Sequence, residues 1–276
     1  NSNGNGTVSE VSKPTQQQQS KSNVPMAMLY LAIVSHIEIN SILYLLPAIL
    51  FTRRGFGYTR LVRSIVGCIG FFLLWSALLQ YLSLLLVGRS NFVAMLLQSY
   101  AKDYTFYDLE PSLGLQWYFF MNMFDRFRTY FTIMHFGIPY LFAFPLLLRF
   151  HRYPIALTAM LSTILSLCKT TPTLNDMVLA FSLLLMAPRT LARMTNKSLV
   201  SLVALPVPIT LYVTDYWLWL ETGSGNANYM FFQCLAYNVF FSVILTDFFA
   251  ATMLREKALY LTEKGPKKVM VTAVVG

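Results

Sequence analysis

The sequence predicts an all-α fold, a polytopic transmembrane helical bundle, on three observations. Of its 276 residues 56% are apolar and only 12% charged, against roughly 25% charged in an ordinary soluble domain. The apolar residues gather into runs, most of them ~15–25 residues long, which suits membrane helices and not the ~10-residue alternating strands of a barrel. The boundaries between runs also alternate in charge: every second one carries Arg or Lys, while those between carry Asp, Glu, Asn and Gly. A soluble core has no reason to sort charge this way, whereas a membrane chain keeps its basic residues in short cytoplasmic loops.

The net charge of +9 would suggest nucleic acid in a soluble protein. Here most of the basic residues fall within Arg53 to Arg63, Arg149 to Arg152, Arg189 to Lys197 and Arg255 to Lys268, beside apolar runs. The charge therefore reports orientation. Cys68, Cys168 and Cys234 lie inside or at the edge of apolar runs and read as small hydrophobes, not as a disulfide framework or metal site.

The first 25 residues are polar, include Gln16 to Gln19 and hold no signal-peptide core. Residues 1–25 read as a disordered linker, and the absence of an initial Met suggests a fragment of a longer protein. A helical membrane domain follows over 26–265, with a cytoplasmic tail at 266–276. Within that domain 62–87 runs outward, 128–148 inward, 154–169 outward, 174–188 inward, 198–220 outward and 229–254 inward, which leaves the C-terminus cytoplasmic. The opposite side receives Asp103, Asp108, Glu110, Asp176, Glu221 and the Gly/Asn segment. The runs 154–169 and 174–188 are short for independent spans and read as a hairpin that needs protein on its flanks.

The segment 26–51 carries His36, Glu38 and Asn40 at its middle, and a carboxylate at the bilayer centre costs a few kcal/mol. It is either one span with a partnered Glu38, or two short helices, 26–36 and 41–51, meeting at the outer membrane edge. The second reading is preferred because it removes the cost of burying Glu38. It places the N-terminal tail in the cytoplasm, where the sequon Asn5-Gly6-Thr7 stays unglycosylated. Asn196-Lys197-Ser198, also a sequon, lies on the basic side and stays bare as well.

Catalytic signatures are absent: there is no HExxH, no G-x-S-x-G, no phosphate-binding glycine loop and no D-x-D pair, and His36, His135 and His151 lack metal-ligand spacing. Neither a metal nor another cofactor is implied. Cys168, in an apolar helix, is a poor candidate nucleophile. Four polar features remain. Pro111 to Phe120 follows an acidic loop and opens an aromatic helix, either an interfacial belt of Trp117 and Tyr118 or a platform for a lipid-linked glycan. Asp125 and Arg128 follow it as an i,i+3 pair. Lys169, Asn175 and Asp176 flank the turn Thr170-Thr171-Pro172-Thr173, as helix-end chemistry or as a site for a lipid phosphate. Gly223 to Asn228 joins two spans, as a turn capped by Asn228 or as a polar lip of exposed amides. Deep in the last span, Asp247 requires a partner on another helix or another chain.

Read in order, SLGLQWYFFMNMF, HRYPIALTAMLSTILSLCKTTPTLND and SGNANYMFFQCLAYNVFFSVILTDFFAATMLREKALYLTEKG closely resemble the C-terminal part of the phosphatidylinositol glycan class U family. The likeness covers roughly residues 26–265 and is strongest after Gly114. It implies a fold like the membrane part of lipid-linked mannosyltransferases. It also implies a non-catalytic subunit of the glycosylphosphatidylinositol (GPI) transamidase of the endoplasmic reticulum membrane, holding the GPI glycolipid for a cysteine protease-like catalytic subunit. Carried over, Asn226 and Asn228 match the family's lumenal Asn-x-Asn turn, and Trp117 and Tyr118 its aromatic stretch. These four residues are the expected lipid-binding positions. The rival functions are a lipid-linked glycosyltransferase, which needs an acidic pair in an early lumenal loop, and a transporter, which needs polar residues at mid-membrane depth.

Overall fold

The computed structural model describes residues 23–53, 57–101 and 110–264, and those residues form helices joined by short turns. Residues 1–22 of the linker, with the sequon at Asn5, and Asp103, Asp108 and the tail 266–276 lie outside the described residues, while Val24 and Pro25 already belong to the first helix. Among the described residues, four helical stretches are long and apolar enough to cross a membrane: Tyr58–Val87, Asp125–Phe150, Asn196–Glu221 and Ala227–Thr262.

The chain enters α1 (Val24–Ile37), where Pro25 sits in the first turn, the one place its missing N–H costs nothing. At Glu38 the backbone becomes extended, and a 3-10 turn (Ile39–Tyr44) leads into α2 (Leu45–Thr52). This is a reversal and not a single span: Val24 and Thr52, at opposite ends of the segment, line the same cavity beside Arg60, Arg63 and Ser64. Packing confirms it, since Met28 and Ala32 of α1 and Ala48 and Ile49 of α2 share one apolar cluster with Cys68 and Phe72 of α3 (Tyr58–Val87). Thr52 and Ser64 are in hydrogen-bond contact, and the Ser64 hydroxyl donates to the Ile49 carbonyl at 2.7 Å. The other end of the hairpin, at His36, meets Gln80 of α3 and Tyr100, which follows α4 (Arg89–Leu96) in a single π turn.

After α5 (Gln116–Asn122) and α6 (Asp125–Phe150) comes α7 (Pro154–Cys168), the central helix. At 15 residues it is about 22 Å long, short of the ~30 Å hydrocarbon layer. It does not have to meet lipid: every residue from Ala159 to Ser166 is buried, against α2, α6, α8 (Leu174–Leu185) and α12 (Ala227–Lys264). Ala156, Ala159, Ser162, Thr163 and Ser166 supply the small surfaces that let helix backbones approach closely. Leu157, Met160 and Leu161 fill the gaps against Phe150 and Phe248.

A short helix, α9 (Pro188–Leu191), precedes α10 (Asn196–Ala204) and α11 (Pro206–Tyr216), which together make the third long stretch. The run read as one span over 198–220 is interrupted at Leu205, because Pro206 and Pro208 have no N–H to donate to the preceding turn. Asp247, deep in α12, finds its partners on another helix. It accepts the backbone N–H of Thr195 at 2.7 Å and the Ser198 hydroxyl at 2.5 Å, so it caps α10 from across the bundle. That contact buries the Ser198 side of the second sequon against α12.

Candidate functional site

The non-basic end of the bundle carries three polar groupings. The first is the turn between α7 and α8. Thr173 and Asp176 form a capping box, with the Thr173 N–H donating to Asp176 Oδ2 at 2.7 Å. Lys169 donates to Asp176 Oδ1 at 2.9 Å and to Glu38 Oε2 at 3.0 Å. The apex of the first hairpin is thus tied to the apex of the second, and Glu38 has the charge partner its position demands. The two charged hydrogen bonds that Lys169 donates offset the cost of its partial burial. With both carboxylates engaged on it, Lys169 is a structural cross-link between hairpins.

The second grouping is the extended segment before α5. Ser112 Oγ donates to the Thr170 carbonyl at 3.3 Å, Tyr212 donates to the Pro111 carbonyl at 3.2 Å, Cys234 donates to the Ser112 carbonyl at 3.1 Å, and Asn238 donates to the Leu113 carbonyl at 3.0 Å. Two helices, α11 and α12, therefore satisfy a run of backbone carbonyls that has no helix of its own. Gly114 is required there, since a Cβ would fall 2.9 Å from the Pro172 ring. Beside it, His135 Nε2 lies 2.7 Å from the Cys168 carbonyl oxygen and 2.9 Å from the Gln116 amide. His135 thus closes the top of α7 and does not activate the Cys168 thiol.

The third grouping brings three of the four expected site residues together. The Asn226 side chain accepts the Asn228 backbone N–H at 2.9 Å and so caps α12. The cap is Asn226, two residues before the Asn228 expected from the sequence. Asn228 instead uses its Oδ1 to accept the Tyr118 hydroxyl at 2.6 Å. Tyr118 lies flat on Phe231, ring centroids 4.0 Å apart and planes 16° apart, and Phe119 meets the same ring edge-on at 5.6 Å. The fourth residue, Trp117, is 2% exposed. It is packed with Met230 and Cys234 beneath the platform, 5.6 Å edge-on from Tyr118 and 5.9 Å from Trp219. Trp117 thus reaches the lip only through Tyr118.

The loop that presents the lip is packed tightly at Gly225. The N–H groups of Ser224 and Gly225 both donate to the Leu218 carbonyl, at 3.0 and 2.9 Å. A Cβ on Gly225 would stand 2.7 Å from the Trp219 backbone nitrogen. Gly223 takes φ +65°, open to glycine at no cost. Asn226 and Asn228 remain exposed. Their described hydrogen bonds engage the amide oxygens, so the chemistry they offer outward is two NH2 donors without charge, above an aromatic shelf. That combination suits an oxygen-rich amphiphile, hydroxyls and phosphates over an apolar portion. Among the described residues there is no group of three His, Cys, Asp or Glu side chains that could hold a metal.

Phe231, Trp219, Tyr212 and Asn238 were not singled out from the sequence. Asn238 had a signal, an amide inside an apolar run, while the aromatics were indistinguishable from lipid-facing residues.

The family model described as GPI transamidase subunit PIG-U matches residues 15–237. The chain is 34% identical over 148 residues to the GPI transamidase component GAB1 homolog of Schizosaccharomyces pombe, covering 54% of this chain and 36% of that protein. It is 28% identical over 168 residues to the GPI-anchor transamidase component PIGU of Homo sapiens, covering 59% and 38%. Against the GPI transamidase component GAB1 of Saccharomyces cerevisiae it is 28% identical over 225 residues, covering 82% and 55%. The chain spans between about a third and a little over half of the length of the relatives it matches.

Proposed function

The chain belongs to the PIG-U family of GPI transamidase subunits, and on that premise we propose that it helps recognise and position the GPI glycolipid for attachment to proprotein C-termini. It does so as a non-catalytic, multi-pass component of the endoplasmic reticulum membrane. Its partners are the other transamidase subunits, including the cysteine protease-like subunit that performs the chemistry. The basic end of the bundle, with the C-terminus, faces the cytoplasm, and the Asn226–Asn228 lip faces the lumen. The lipid-linked glycosyltransferase reading is not favoured, because the relatives are named as transamidase components.

The observation that carries the reading is the joining of Asn228 to Tyr118 above the Phe231 ring. It places two exposed amides and an aromatic shelf at one helix N-terminus, on the side opposite the basic loops. The amides hydrogen-bond the head group and the shelf supports its glycerol-proximal part. Trp117 supports Tyr118 from below. No side chain in this lip is a nucleophile or a general base, so its contribution to the reaction is orientation.

The test is complementation of cells lacking the class U subunit by the full-length protein carrying Asn226→Ser and Asn228→Ala. Serine keeps a cap acceptor on α12, so loss of the amide is separated from loss of the helix end. Assembly of the complex is expected to be normal and surface display of GPI-anchored proteins lowered. Normal display in those cells overturns the assignment.

A further inference from the structure

The opposite, basic end of the bundle holds a polar cavity that the glycolipid reading does not use. A space of about 520 Å³ opens between the N-terminus of α7 and the short helix α9, lined by Arg152, Arg189 and Arg255 on its polar side. Among the described residues lining it there is no carboxylate. Glu256, the neighbour of Arg255, is held by Arg149 at 2.5 Å.

Three further features suit this cavity to a phosphate on a lipid. The first is the uncapped start of α7: its N-cap residue Tyr153 makes no side-chain hydrogen bond to the helix. Ile155 and Ala156, in the first turn where the positive end of the helix dipole lies, both line the cavity. Next, Arg255 is already fixed in place. Its Nη1 donates to Thr190 Oγ1 at 3.3 Å and its guanidinium lies 5.6 Å over the Tyr153 ring, so little side-chain entropy remains to be lost on binding. Finally, Phe51 and Met186 line the same cavity and are 53% and 62% exposed. An anion with an apolar body satisfies both halves, whereas a free inorganic anion leaves the apolar half uncovered.

We propose that this cavity binds the phosphate of an anionic phospholipid from the leaflet on the basic side. Arg152 and Arg189 are the exposed cations that meet the head group, Arg255 is the preset one, and the acyl glycerol lies along Phe51 and Met186. Such a lipid pins the ends of α7, α9 and α12 together. The site lies at the other end of α7 from the Lys169 turn and is independent of the lip at Asn226.

The experiment uses the full-length protein in its assembled complex, in phosphatidylcholine nanodiscs doped with photoactivatable phosphatidic acid. Irradiation is expected to label peptides containing residues 152–156 and 186–189 well above the level given by photoactivatable phosphatidylcholine. Arg189→Gln should lower that labelling roughly fivefold, and the Arg152→Gln, Arg189→Gln pair roughly 25-fold, from the worth of a basic side chain near an anionic surface. Arg189→Lys should retain most of it. Equal labelling by phosphatidylcholine, or labelling of the wild type spread evenly around the basic end, overturns the site without recourse to any variant. Loss of the label on adding inorganic phosphate equimolar with the lipid overturns the lipid as its source.

Discussion

The Tyr118 hydroxyl donates to Asn228 Oδ1 at 2.6 Å, although the two residues stand 110 positions apart in the chain. This bond sets the start of the last helix against the aromatic helix before α6, and it makes one surface of two sequence motifs. Tyr118→Phe should leave the stack on Phe231 in place and cost about 1 kcal/mol, the net worth of a neutral hydrogen bond. In a double-mutant cycle with Asn228→Ala, read by thermal unfolding of the purified complex, the two changes should couple by about 1 kcal/mol. Strict additivity would show that the bond does not hold the lip.

The Glu38–Lys169–Asp176 cross-link predicts an asymmetric response. Lys169→Met strands two part-buried carboxylates and should cost about 2–3 kcal/mol. Glu38→Gln leaves Lys169 with Asp176 and should cost less. A melting temperature for Lys169→Met equal to that of the parent would contradict the cross-link.

How much of this was legible beforehand differs from element to element. The hairpin at Glu38 could be read because a carboxylate in mid-membrane is costly, and the shortness of the runs 154–169 and 174–188 implied protein on their flanks, which α7 has from Ala159 to Ser166. The partner of Glu38 could not be read, since it is set by which two hairpin apices meet. The cap of α12 was placed two residues late for a different reason. Both asparagines of Asn226-Ala227-Asn228 are competent caps, and the choice falls to the fit of Gly225 against the Trp219 backbone. Trp117 was expected among the lipid-binding positions because it matches the aromatic stretch of the family that the sequence resembles. Packing against Met230 and Cys234 places it beneath the lip instead.

Gly225 and Gly223 serve the same loop by different means, and substitution separates them. Gly225→Ala drives a Cβ to 2.7 and 2.9 Å from the backbone nitrogen and Cα of Trp219, which cannot move aside as a side chain would. It should cost about 1–3 kcal/mol and displace Asn226. Gly223→Ala has open space and only its left-handed backbone to oppose it, about 1 kcal/mol. Thermal shifts in the reverse order would contradict the packing.

Asp247 is predicted to act through α10. Asp247→Ala removes the acceptor for Thr195 and Ser198 and should cost about 1–2 kcal/mol. Adding Ser198→Ala to it should cost little more, because the hydroxyl then has no partner left to lose. Full additivity of the two, measured by denaturation, would refute the cross-bundle cap.

The most direct test of the central claim is site-specific photo-crosslinking from the lip. A photoreactive residue at position 228 of the full-length protein, in the assembled complex, should capture the GPI glycolipid. The same residue at position 257, on the basic end, should not. Absence of a glycolipid adduct at 228, or equal adducts at both positions, would contradict the account.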